Sequence, residues 1–119
     1  MNWLRAFGFV LVALVAAQAH AHAFLDHAEP RVGATVQAPP LQLKLWFTQE
    51  IEPAFSTVKV IDSAGRRVDK NDAQVDPASR EQMRVSLQIL GAGDYTVVWR
   101  VVSVDTHVTE GDFVFHVGK

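Results

Sequence analysis

The run Y-T-V-V-W-R-V-V-S-V-D-T-H, residues 95–107, constrains the fold more than any other stretch of the chain. Its first ten residues are types that suit a pleated, half-buried surface, so it reads as one long β-strand. Gly91 and Gly93 punctuate its start, and the polar group Asp105, Thr106, His107 closes it. If the pleat continues that far, Asp105 and His107 project from the same face. A carboxylate and an imidazole side by side are metal-ligand types, but two are too few for a firm site. A third ligand has to come from elsewhere, and the other end of the chain offers one.

The remaining strands follow from period-two alternation. Over residues 41–47, Leu41, Leu43, Leu45 and Phe47 share one face, and Gln42, Lys44 and Trp46 the other. Residues 55–61 form a second strand, ended by the turn Ser63-Ala64-Gly65-Arg66. Residues 68–80, polar and interrupted by Pro77, read as a long surface loop. Met83, Val85, Leu87 and Ile89 alternate again, and Phe113, Phe115 and Val117 mark a final strand. Pro30, Gly33, Pro39 and Pro40 forbid a long helix near the start. About seven short strands with no helical period predict a single all-β domain, an antiparallel immunoglobulin-like β-sandwich or Greek-key barrel. Leu90, Gly93 and Tyr95 have the spacing of a tyrosine corner, in which the Tyr hydroxyl bonds back to nearby backbone.

The first 21 residues are unlike the rest. Arg5 is their only charge, residues 6–17 are apolar but short for a bilayer span, and Ala19-His20-Ala21 follows. A basic start, an apolar middle and an A-x-A end describe a secretory signal peptide over 1–21, leaving a domain at 22–119. Cuts after Ala19 or Ala23 are alternatives. Of the 11 basic residues only Arg5 is lost with the leader, so the mature 98 residues carry 10 basic against 13 acidic side chains. No basic patch stands out, which argues against nucleic acid and anionic membrane as partners. The absence of cysteine excludes disulfides, thiolate metal sites and cysteine catalysis.

Cleavage after Ala21 makes His22 the first residue, offering an α-amine and an imidazole together. The amine has a reference pKa of about 8, so a metal displaces its proton at little cost near neutrality. With Asp105 and His107 the set becomes three nitrogens and one oxygen. Tetragonal nitrogen and oxygen ligation favours Cu(II), whereas Zn(II) prefers a tetrahedron. Against this stands the ordinary fate of a chain terminus, which is to fray.

The chain resembles the CopC-type family of periplasmic copper-binding, copper resistance proteins over essentially the whole mature length. The resemblance rests on H-A-F-L-D-H-A-E-P-R-V-G-A-T-V at 22–36, E-P-A-F-S-T-V-K-V at 52–60, the run at 95–107, and Gly111 with Phe113 to Phe115. It implies a small β-sandwich binding one Cu(II) per chain through the amine and imidazole of His22, the Asp105 carboxylate and the His107 imidazole. It also implies a non-enzymatic, monomeric carrier or buffer in copper resistance or homeostasis. Such a carrier hands copper to a copper-transporting inner-membrane protein or to another periplasmic copper protein. Some members add a Cu(I) site rich in Met and His. Met83, the one methionine past residue 21, sits in an alternating strand and reads as core packing. The family often has an acidic residue directly after the early F-T or F-S; here the chain departs from that pattern, since Phe47-Thr48 is followed by Gln49 and only then by Glu50.

Other residues read more plainly. His27 and His116 are expected at the surface, Trp99 in the core and Arg100 on the outer face. Asp69, Asp72 and Asp76 are expected in a solvated loop, because they lack the glycine and ligand density of a calcium site. Two other functions compete with the carrier. One is a copper oxidase or oxygenase built on an amino-terminal histidine, which needs the open position that Asp105 closes. The other is a metal-free interaction module.

Overall fold

The structure, a computed structural model, describes residues 22–119; the leader expected over 1–21 lies outside the described residues. Eight strands form two four-stranded sheets. They are β1 Leu25–Glu29, β2 Thr35–Val36, β3 Gln42–Phe47, β4 Thr57–Ile61, β5 Gln74–Asp76, β6 Ser79–Ser86, β7 Gly93–Val102 and β8 Val108–Val117. One sheet has the order β1-β3-β6-β5 and the other β2-β8-β7-β4. All pairings are antiparallel except that of the two-residue β2, which runs parallel to β8.

The run that dominates the sequence is half of the longest hairpin: β7 pairs with β8 from Gly93↔Val117 to Val102↔Val108. Strand alternation turns Tyr95, Val97, Trp99 and Val101 inward, with Phe113, Phe115 and Val117 beside them. The facing sheet contributes Leu43, Leu45, Phe47, Met83 and Val85 to the same buried cluster. Trp99 meets Phe47 edge-on across the sheets, with ring centroids 5.2 Å apart. Trp99 also explains Gly111, its cross-strand partner. A Cβ at Gly111 would lie 2.5 Å from the indole ring, so only glycine admits this approach. The Tyr95 hydroxyl donates to the Gly91 carbonyl at 2.7 Å, which makes the expected tyrosine corner.

Strand ends depart from the alternation. Leu41 and Ile89 were expected on buried faces, yet both are exposed, because β3 starts only at Gln42 and β6 stops at Ser86. Phe55 belongs to a 3-10 turn, Pro53–Phe55, and is exposed as well. The largest correction falls on residues 68–80. They are not a surface loop, since they contain β5, a tight turn in which Asp76 Oδ1 accepts the Ala78 amide at 2.8 Å, and the start of β6. Val75 is the single apolar residue β5 buries, so the segment shows no alternation to read.

Residues just before β5 fasten the two sheets together. Val68 N donates to Val60 O on β4 at 2.8 Å, while Gln88 N donates to Val68 O at 2.9 Å and Lys70 N to Ser86 O at 2.8 Å. The Asp69 side chain is wholly enclosed here. It accepts hydrogen bonds from Val60 N at 2.8 Å, Arg67 Nε at 2.9 Å and Asn71 N at 3.0 Å. Burial pushes its carboxyl up; the Arg67 guanidinium and the two amides outweigh that and hold it below the usual carboxylate range. Asp69 is thus a sheet clasp and not the solvated residue expected. Asp72 likewise caps the end of β6 by accepting the Ser86 amide at 2.8 Å.

Candidate metal centre

Between β7 and β8 the chain turns sharply. Thr106 N donates to Ser103 O at 2.8 Å, and Ser103 N donates to His107 O at 2.9 Å. Thr106 takes a left-handed conformation, φ 72°, which a β-branched residue adopts only under constraint. The pleat therefore does not continue to His107. Asp105 and His107 come together through a turn instead, with Asp105 Oδ1 3.3 Å from His107 Nδ1. Ser103, fully buried, stands beneath them: its hydroxyl donates to Asp105 Oδ1 and accepts the His107 amide at 3.2 Å. The Ser103 hydroxyl, with help from His107, holds the Asp105 carboxyl below the usual range against the opposing effect of desolvation. The β3–β4 connection flanks this turn. Val104 N donates to Glu50 O at 3.2 Å and Glu52 N to Val102 O at 2.8 Å.

The other half of the site is residues 22–24, which are pinned between the sheets. Thr48, just past β3, makes three of the contacts. Its hydroxyl donates to His22 O at 3.1 Å and accepts from Phe24 N at 2.9 Å, and its amide donates to Phe24 O at 2.9 Å. From β8, the Thr109 hydroxyl donates to Ala23 O at 2.6 Å, and the Ala23 side chain is fully buried. Two threonines from different sheets thus hold the backbone that carries His22. The His22 imidazole lies against that of His107, with ring centroids 4.5 Å apart, and beside the Phe24 ring at 5.8 Å.

Of the three residues expected as ligands, His22 therefore meets His107, and Asp105 stands against His107. Among the described residues no group of three or more His, Cys, Asp and Glu side chains forms a ready metal cage. The donor chemistry at this end is two imidazoles and a carboxylate. It is a nitrogen-rich set that suits copper and lacks the all-oxygen ligands of calcium or magnesium.

The remaining candidates lie elsewhere. His27 stacks flat on Trp46, with centroids 4.4 Å apart, and its Nδ1 is 2.7 Å from Asp26 Oδ2 at the surface. His116 pairs with Asp94 at 2.7 Å on the outer face of its sheet. Arg100 is also on that face, 3.8 Å from Glu110. Met83 is buried in the core. Glu50 has an exposed side chain, and its carbonyl supports the turn. Sequence reasoning passed over Ser103, Thr48 and Thr109. A signal existed for two of them: Ser103, Asp105, His107 and Thr109 recur at every second position. Thr48 offers none, because its role depends on which strand docks beside the amino-terminal segment.

The chain is a small two-sheet β-sandwich that brings His22, Asp105 and His107 to the turn closing its longest hairpin. A family model described as the CopC domain matches residues 25–118, and the chain belongs to the CopC family. Protein YobA of Escherichia coli strain K12 is 34% identical over 113 residues, spanning 94% of this chain and 91% of that one. The crystal structure of CopC from Methylosinus trichosporium OB3b matches with a TM-score of 0.77 at 34% identity, covering 82% of this chain and 94% of that one. The crystal structure of PcoC, a methionine rich copper resistance protein from Escherichia coli, matches with a TM-score of 0.70 at 32% identity, covering 82% and 99%. Membership in this copper resistance family supports a copper-binding function.

Proposed function

We propose that the mature chain is a periplasmic Cu(II) carrier or buffer, holding one copper through His22, Asp105 and His107. The observation that carries this reading is the meeting of His22 and His107, from opposite ends of the chain, with ring centroids 4.5 Å apart and Asp105 against the second ring. Cleavage after Ala21 adds the His22 amine and completes a set of three nitrogens and one oxygen, the composition that tetragonal Cu(II) prefers. The pinned segment favours that cut over one after Ala23. A chain beginning at Phe24 forfeits the buried Ala23 and the bonds from Thr48 to His22 O and from Thr109 to Ala23 O. Four protein donors around one ion favour storage and transfer over oxygen chemistry, so the chain acts as a carrier and not as an oxidase. The recipient is a copper-transporting inner-membrane protein or another periplasmic copper protein, and the carrier works as a monomer.

The test is the native mass of the exported protein with and without one equivalent of Cu(II). The expected result is a chain beginning at His22 that retains one copper, and loses it when His22 or His107 is changed to Ala. Tight binding in both variants, or a mature chain beginning at Phe24, would overturn the reading.

A further inference from the structure

The turn that carries Asp105 and His107 has one buried polar side chain at its base, that of Ser103. We propose that Ser103 is a positioning residue for copper: its hydroxyl fixes the carboxylate of one ligand and the backbone of the other in a single geometry. The proposal rests on the copper-holding reading of His22, Asp105 and His107.

A hydroxyl has one proton to donate and lone pairs to accept with. Two acceptors lie within reach of the Ser103 hydroxyl, Asp105 Oδ1 at the shorter contact and His107 O at 3.3 Å. The charged carboxylate takes the proton, since hydrogen bonds to ionised groups are the stronger kind. The His107 carbonyl is already served by the Ser103 amide at 2.9 Å. The hydroxyl oxygen in turn accepts the His107 amide at 3.2 Å. One buried group therefore holds the Asp105 side chain and the His107 main chain at once, from a residue with no exposed surface of its own. The Ser103 hydroxyl and the His107 ring both meet the carboxylate at Oδ1, and the Asp105 side chain is 45% exposed, so the group held from below still faces solvent. This is the arrangement by which groups behind a metal ligand orient it, and their loss costs roughly 10–100-fold in metal affinity.

The experiment compares Cu(II) affinity, by competition with a chelator, and the electron paramagnetic resonance spectrum in four chains: wild type, Ser103→Ala, Asp105→Ala and the double variant. Ser103→Gly is run beside Ser103→Ala as a second way of removing the hydroxyl, and thermal melting of the copper-free chains checks folding. We expect both truncations to fold and to weaken Cu(II) binding by about 10-fold, with altered hyperfine coupling. In the Asp105→Ala background the same truncation should cost less than about threefold, since the two groups act as one unit. Unchanged affinity in Ser103→Ala would overturn the proposal while leaving the copper site intact. An equal loss in both backgrounds, or failure of both truncations to fold, would assign the hydroxyl to the turn and not to copper. A wild-type chain that retains no Cu(II) removes the carrier reading and this proposal with it.

Discussion

Asp69 and Asp105 are both aspartates whose carboxyls are held below the usual range, and they sit in opposite surroundings. Asp69 is sealed between the sheets and surrounded by donors: two backbone amides and a guanidinium. Asp105 sits in the turn that closes the β7–β8 hairpin, with its side chain 45% exposed and the Ser103 hydroxyl and His107 ring meeting it at Oδ1. A lowered carboxyl therefore does not by itself mark a functional group. What separates the two is saturation. A carboxylate whose oxygens are taken up by the protein is a structural pin. One that is oriented by a buried hydroxyl and still open on one side can receive an ion.

The contrast predicts opposite outcomes when each is removed. Asp69→Ala leaves the Val60 amide and the Arg67 guanidinium without their acceptor at a buried position. It should lower the unfolding free energy by about 2 kcal/mol, the order expected when a buried amide loses its acceptor, since the Arg67 guanidinium is 45% exposed and can turn to water. Urea denaturation of the copper-free protein measures this, and a titration should find the Cu(II) affinity of the folded variant within about twofold of wild type. Loss of copper binding in a folded Asp69→Ala chain would show that the clasp and the site are coupled. The same residue sets an acid limit. Its folded carboxyl lies below the ordinary 3.8, so its contribution is complete above that value and is lost as pH falls through the lowered one. Asp69→Asn should flatten this part of the stability profile, whereas a wild-type slope there would mean that other carboxyls carry it.

Asp105→Ala is the mirror experiment. The side chain is exposed, and the Ser103 hydroxyl keeps the His107 carbonyl as an alternative acceptor at 3.3 Å. Copper-free stability should change little, as for most substitutions at exposed positions. Copper binding should weaken by at least about 10-fold, because a donor is lost from the set. A large loss of stability with copper retained would exchange the roles given to the two aspartates.

How far the sequence reveals this contrast depends on what each residue relies on. The sandwich is legible from residues 95–104 and 113–117, because strand alternation fixes which side chains face inward. His22, Asp105 and His107 are legible in the sequence as ligand types, and the structure brings the two histidine rings together with Asp105 beside the second. Asp69 is not, since it lies in a polar stretch with no period, and its burial arises only when β4 and the end of β6 close over it from two sheets. The expectation that Asp105 and His107 share a strand face illustrates the same limit. The two do meet, but through a turn with Thr106 at φ 72°, and a period-two pattern cannot distinguish a pleat from that turn.

The smallest effect tests whether the site is built before copper arrives. Thr48→Val keeps the shape of the side chain but removes the hydroxyl that bridges His22 O and Phe24 N. Its backbone bond to Phe24 O remains, and so does the Thr109 bond to Ala23 O, so residues 22–24 stay docked. Stability should fall by about 1 kcal/mol, the net worth of such bonds. The His22 end, however, gains freedom that copper must then remove, and Cu(II) affinity should drop a few-fold, by the ordering cost of the loosened residue. The decisive readout is where the loss appears. If the segment is prearranged, Thr48→Val leaves the copper-bound spectrum unchanged and weakens only affinity, since in the proposed site the metal and its donors would set the bound geometry. If the spectrum changes as well, Thr48 shapes the bound site itself, and the division between a saturated clasp and an open ion site extends to the hydroxyls that hold each in place.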